Sequence, residues 1–288
     1  MRRSGSGRDE ARRASGPARP GAARGVNQMV LCQRDQASCG ACCGLYNRTD
    51  PSRGAVAAEL RRRTDALSGI PRTPEAFRAA ARALEVQAPP PLFPSVRVCP
   101  LLGFVGDGAR IGCLAHPAVT GGPDLRDCGV YDASICESFL CPSFSWISEE
   151  EATIAEEVTG GDFHLYGLVV TDVPFLRATL EAVARAAGAR VERRHLADAR
   201  FRAALRRLLD LKTQLAPGSE GLFGAFAAGP GGEDMPRRID YGAVGRDGSP
   251  YDTILTCAGA DPRSGNDLDR LEAEVRRRLD PCVQAFPG

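Results

Sequence analysis

Three observations predict an α+β chain in which an irregular, metal-stapled cysteine-rich domain is followed by a mostly helical region with a β-hairpin. Nine of the eleven cysteines lie between Cys32 and Cys141, and none follows until Cys257. The stretch from Arg97 to Ser145 is dense in Gly, Pro, Asp and Cys, a composition of loops rather than of regular hydrogen-bond ladders. Beyond Trp146, apolar residues return at helical spacing. These shifts divide the chain into a basic tail over 1–25, a cysteine-cluster domain over 26–146 and a C-terminal helical region over 147–288.

The tail has seven arginines against Asp9 and Glu10 and almost no large apolar side chain, so it is expected to stay disordered. In the second region, Ala55 to Leu67 reads as a helix with Val56, Leu60 and Leu67 on one face. Thr73-Pro74-Glu75 opens another, with Thr73 as cap, Pro74 at the first helical position, and Phe77, Ala80, Ala81 and Leu84 as its apolar stripe. Pro89, Pro90 and Pro91 end it.

In the third region, Ser148 with Glu151 is a capping-box signature. Phe163 to Val170 reads as a buried strand. Pro174 to Ala187, closed by Gly188, and Asp198 to Leu215 read as helices with core stripes. A Gly-rich loop from Ala227 to Gly232 precedes an expected hairpin, whose strands Ile239 to Val244 and Tyr251 to Cys257 flank Asp247-Gly248. A final helix runs from Leu268 to Leu279.

Charge and hydropathy exclude several classes. A formal net charge of +1 offers no global footprint for nucleic acid. No run approaches the ~20 apolar residues of a membrane span. The N-terminal stretch lacks an apolar signal core, so a cytoplasmic location is expected. In a reducing compartment, clustered cysteines point to metal or catalysis rather than disulfides.

The first cluster is Cys32 followed by Cys39-Gly40-Ala41-Cys42-Cys43. A C-x-x-C turn presents two thiolates to one tetrahedral ion. Adjacent residues point in different directions, so Cys42 and Cys43 suggest two adjoining sites. The second cluster is Cys99, Cys113, Cys128, Cys136 and Cys141. Without Cys32, the candidate metal ligands are Cys39, Cys42, Cys43, Cys99, Cys113, Cys128, Cys136 and Cys141, enough thiols for two four-thiolate centres. Cys32 is an extra, exchangeable thiol or a bystander, and His116 is an alternative ligand. Thiolate binding contributes on the order of 10–16 kcal/mol, so the metal is expected to be part of the fold. Sulfur's softness excludes magnesium and calcium but leaves zinc and iron.

Cys39-x-x-Cys42-Cys43, the later Cys99-Pro100, Cys128-x-x-Tyr131 and Cys136-x-x-Phe139-x-Cys141 together resemble the YkgJ-type cysteine-cluster family over about residues 32–145. The resemblance implies a zinc- or iron-chelating domain. Ser134-Ile135 and Glu137 stand where that family usually carries an Arg-Pro pair and a basic residue, and Leu114 to Asp127 forms an insertion. Flagellin lysine methylases are similar in this cysteine pattern, which keeps an iron–sulfur redox enzyme, methyltransferase-like, as the alternative. Any partner would be a protein, with neither membrane nor nucleic acid indicated.

No Ser/His/Asp set, carboxylate pair or nucleotide loop accompanies the cysteines. Cys257 and Cys282 are expected to be small core hydrophobes, and His164 and His195 to be structural.

Overall fold

The computed structural model describes residues 31–216, 224, 226–228 and 234–288. The expected tail lies outside the described residues, as does most of the Gly-rich loop. The described chain is α+β: helices dominate, and two small antiparallel hairpins supply the strands.

α1 (Arg53–Ser68) starts where Ser52 accepts a hydrogen bond from Ala55 N–H, and it buries Val56, Leu60 and Leu67. α2 (Pro74–Val86) starts as expected at Thr73, whose hydroxyl accepts from Ala76 N–H, and buries Phe77, Ala81 and Leu84. Next comes a hairpin that no apolar alternation announced. β1 (Leu102–Val105) pairs with β2 (Arg110–Cys113), Leu102 opposite Cys113. Its loop turns through Gly106 and Gly108 at φ 63° and 83°, so Gly106-Asp107-Gly108 was the available signal. α3 (Pro117–Thr120) and α4 (Ala133–Ser138) are short.

The stretch from Arg97 to Ser145 reads in the sequence as loops with little regular structure. Leu67, Phe77, Ala81, Leu84, Leu101, Leu114, Ala115 and Leu125 nevertheless form a core, joined by Cys99 and Cys128. These leucines are scattered among Gly and Pro, so local periodicity does not reveal that the hairpin folds onto α1 and α2.

α5 (Glu149–Thr159) opens on the expected capping box, with Ser148 Oγ accepting from Glu151 N–H at 3.2 Å and Glu151 Oε2 accepting from Ser148 N–H at 2.7 Å. α6 (Phe163–Val170) corrects the expected strand. Asp162 caps it by accepting from His164 and Leu165 N–H, and all eight helical residues are buried. A short apolar run does not distinguish a fully enclosed helix from a strand, and here the chain on every side encloses it. α7 (Val173–Ala187) ends at Gly188. The single helix expected over 198–215 is two, α8 (Ala199–Leu209) and α9 (Leu211–Gln214), parted at Asp210.

β3 (Phe226–Ala228) and β4 (Asp234–Pro236) make the second hairpin. It lies upstream of the expected one. Residues 239–251 form turns, and α10 (Asp252–Cys257) is helical where a strand was expected. α11 (Gly265–Gln284) extends past both expected ends and contains Pro281. The last helices pack mainly as α11 on α8 and α7, with α10 on α7.

Packing crosses the boundary expected at 146. Leu31, Ala37 and Cys39 share a core with Ile147, Tyr166, Val169 and Val170. Tyr166 Oη donates to Leu31 O at 2.8 Å, and Arg34 pairs with Glu156 at 2.5 Å. Tyr46 and Leu45 share a smaller core with Phe163 and Leu168. Among the described residues no helix is long and apolar enough to cross a membrane.

Candidate metal centre

Backbone hydrogen bonds bring some of the cysteine-bearing segments together. Cys39 N–H donates to Cys32 O at 3.1 Å, and Gln33 and Ser38 form a bridge, so a narrow loop sets Cys32 beside Cys39. The chain then enters a 3-10 turn over Ala41–Cys43 that closes at Gly44, φ 77°. Only glycine suits Gly44: a Cβ there would lie 2.4 Å from Arg97 O. That close approach lets Cys99 N–H donate to Cys43 O at 2.9 Å.

Arg63, buried on α1, fixes the same segment from the other side. It pairs with Glu59 at 2.7 Å and donates to Cys99 O at 2.9 Å. The first hairpin delivers Cys113 at the end of β2, and Leu114 N–H donates to Leu101 O. Buried Arg126 pairs with Asp124 at 2.5 Å and with Glu137 at 2.6 Å. This ties the turn before Cys128 to α4, which carries Cys136. Cys141 opens the 3-10 turn over Pro142–Ser145, anchored by Ser143 Oγ donating to Thr171 O at 3.1 Å.

All eleven cysteines are free. Burial, backbone N–H groups and neighbouring charges shift their acidities. The Cys141 thiol is held down to about 6, first by a hydrogen bond with Cys42, and also by the hydroxyl and backbone N–H of Ser143 and the N–H of Phe144. Cys42 is pushed up by the same bond and feels the charges of Cys141, Cys39 and Cys43. Burial pushes Cys39 up to about 12; Ala41 N–H, donating to its sulfur at 3.4 Å, opposes the rise, while the charges of Cys141 and Cys32 add to it. Cys32 is raised by burial first and feels Cys141.

Cys43 looks elsewhere. Its thiol is raised well above the ordinary value by burial, then by the charges of Cys99, Cys113 and Cys136, with Cys39 the weakest. Burial pushes Cys113 up to about 12, against Ala115 N–H and with the charges of Cys99 and Cys136. Cys99 is raised by burial against the N–H groups of Leu101 and Val130. Cys136, on the exposed side of α4, is raised by burial of its sulfur and then by Cys99.

Cys128 stands apart. It is buried, its thiol donates to Pro74 O at 3.6 Å, and the charges it feels belong to Arg78, Asp127 and Glu75. His116 is exposed, and its Nδ1 accepts from Ala118 N–H at 3.1 Å as the cap of α3. His164 is buried with Nε2 2.8 Å from Pro51 O, and the Nδ1 of buried His195 accepts from Glu192 N–H at 3.0 Å. Cys257 and Cys282 lie in the C-terminal core.

Among the described residues, no three His, Cys, Asp or Glu side chains are closed to the geometry that holds a metal ion. What sequence reasoning missed is the positioning of Cys32, Arg63 and Gly44; the Cys32-x6-Cys39 spacing was the one visible signal for the first of these. Compared with protein-family models, with curated proteins and with solved structures, the chain matches none.

Proposed function

We propose that this chain is a metal-chelating protein that binds zinc or iron through about eight cysteine thiolates. One observation supports the reading most. Ala41 N–H donates to Cys39 Sγ at 3.4 Å, and the N–H groups of Leu101, Ala115 and Ser143 act in the same sense on Cys99, Cys113 and Cys141, opposing the burial that still raises Cys39, Cys99 and Cys113. Donors aimed at sulfur stabilise the charged form that a metal requires and that a packing cysteine does not. The resemblance to the YkgJ-type family points the same way.

Zinc would act here as a structural ion, clamping segments that are far apart in sequence. The test is elemental analysis and visible absorption of the full chain purified without oxygen. Colourless protein carrying zinc supports the chelating module. Protein free of zinc and iron, with its thiols open to alkylation, overturns it. Backbone donors to sulfur also tune iron–sulfur clusters, and Cys99-Pro100 and Cys141-Pro142 are dipeptides found beside cluster ligands. Brown protein with stoichiometric iron and acid-labile sulfide would therefore favour the redox-enzyme reading.

A further inference from the structure

We propose that the segment from Ile135 to Trp146 is a docking face for a basic amphipathic helix of a partner protein. The face is built from apolar side chains and carboxylates rather than from the thiols, so it goes beyond metal binding.

Among the described residues seven large hydrophobic side chains are exposed, and four of them fall in this one segment: Ile135 at 44%, Phe139 at 54%, Leu140 at 50% and Trp146 at 62%. Apolar surface concentrated in this way marks an interaction site, whereas exposed side chains scattered singly do not. The segment is anchored. Asp132 caps α4 by accepting from Ile135 N–H at 2.9 Å, and Phe139 N–H donates to Ile135 O at 2.9 Å, which sets Ile135 and Phe139 one turn apart. Beyond Leu140, buried Ser143 ties the next turn to Thr171 O, and Phe144 and Ile147 pack against the C-terminal core. Arg177, paired with Glu151, donates to Trp146 O. Trp146 therefore stands on a fixed turn whose other side chains the core has already taken.

Charge selects the occupant. Residues 127–176 contain no Lys or Arg. Glu137 is paired with Arg126 and Glu149 with Arg34, but exposed Asp127, Asp132 and Glu150 have no ion-pair partner among the described residues. Unpaired carboxylates thus precede Ile135 and follow Trp146. Their complement is an apolar stripe flanked by Lys or Arg, the pattern of a basic amphipathic helix laid on an apolar surface. Phe139 and Trp146 are separated by an extended step and one 3-10 turn, at most about 20 Å, which a helix of about 13 residues spans.

Other occupants fit less well. A second copy of this chain would bring carboxylate to carboxylate. The four half-exposed side chains also offer roughly 400 Å2, about half of the ~800 Å2 per partner in a stable complex. An anionic membrane surface would be repelled by the same carboxylates.

Trp146 is the only tryptophan in the chain, so its emission reads the face directly. The test titrates the full chain with a Leu/Lys amphipathic helical peptide free of tryptophan, beside a Leu/Glu peptide of the same pattern. The Leu/Lys peptide is expected to give a saturable blue shift, to shield Trp146 from acrylamide, and to bind more weakly in high salt. The Leu/Glu peptide should do none of these. Phe139→Ser with Leu140→Ser should raise the dissociation constant at least about tenfold. Asp132→Asn with Glu150→Gln should raise it about fivefold or more, since Asn still caps α4 and only charge is lost. Circular dichroism checks folding, and if the apolar double variant misfolds, the charge variant decides. Absence of a saturable shift with the Leu/Lys peptide, or equal binding of the Leu/Glu peptide, overturns the proposal. So does a free chain that sediments as a dimer with Trp146 already shielded, which would make a second copy the occupant. A shift with phosphatidylserine vesicles and none with the peptide overturns it in favour of a membrane surface.

Discussion

Lys212, the only lysine in the chain, is fully buried on α9. Its Nζ donates to Asp172 Oδ2 at 2.6 Å and to Cys257 O at 2.6 Å, and lies 5.4 Å from the Phe175 ring centre. Asp172 also accepts from Phe175 N–H at 3.2 Å as the cap of α7. One ion pair therefore connects α7, α9 and α10. Replacing Lys212 with Met keeps the apolar stem but strands a buried carboxylate, and breaking a buried pair from one side costs about 3–5 kcal/mol. Asp172→Asn keeps a capping oxygen but strands the ammonium, at a similar cost of about 3–5 kcal/mol. The double variant Lys212→Met with Asp172→Asn leaves no unpaired charge. It is expected to be at least as stable as either single variant, giving a coupling of at least about 3–5 kcal/mol rather than additivity. Urea unfolding monitored by circular dichroism measures all four proteins, and each single variant should also melt on the order of 10 °C lower. Single variants within about 1 kcal/mol of wild type, or an additive double, would refute the buried, desolvated pair.

Gly44→Ala should destabilise the protein and lower zinc uptake, because a Cβ at φ 77° meets Arg97 O at 2.4 Å and pushes Cys99 from Cys43; chemical unfolding and metal counting read both effects. Ser148→Ala should cost about 1 kcal/mol by removing a helix cap, measured by thermal unfolding. A chain beginning at Met29 should keep wild-type melting and zinc content, since residues 1–28 offer almost nothing to pack. Burial holds the pKa of the His164 imidazole below its ordinary value, so the unfolded chain takes up a proton that the folded one refuses. Stability contributed by neutral His164 is thus present above pH of about 6.5 and falls as pH drops from there through the folded value. His164→Gln should flatten that segment of the stability–pH curve; an unchanged slope would place the titration elsewhere.

What the sequence by itself determined is mostly local. Thr73-Pro74, Ser148 with Glu151, and Gly188 mark helix ends through bonds made within one turn, and each stands where those residues predict. The Cys42–Cys43 doublet implies two divergent neighbourhoods because adjacent side chains diverge wherever the backbone is regular. Tertiary structure decided the rest. Phe163 to Val170 is a helix because its surroundings bury all of it, and an unbroken apolar run carries no period to reveal that. Asp252 to Cys257 became a helix and the hairpin moved to Phe226–Pro236, since short segments take the form their neighbours pair or pack. The thiol groupings were equally hidden. Cys128 has the spacing of a ligand, yet its sulfur turns to a carbonyl of α2, while Cys32, near a chain end, is drawn beside Cys39 by one backbone bond. Sequence spacing counts donors along the chain, but which sulfurs face one another depends on contacts between segments up to a hundred residues apart, and only the packed core sets those directions.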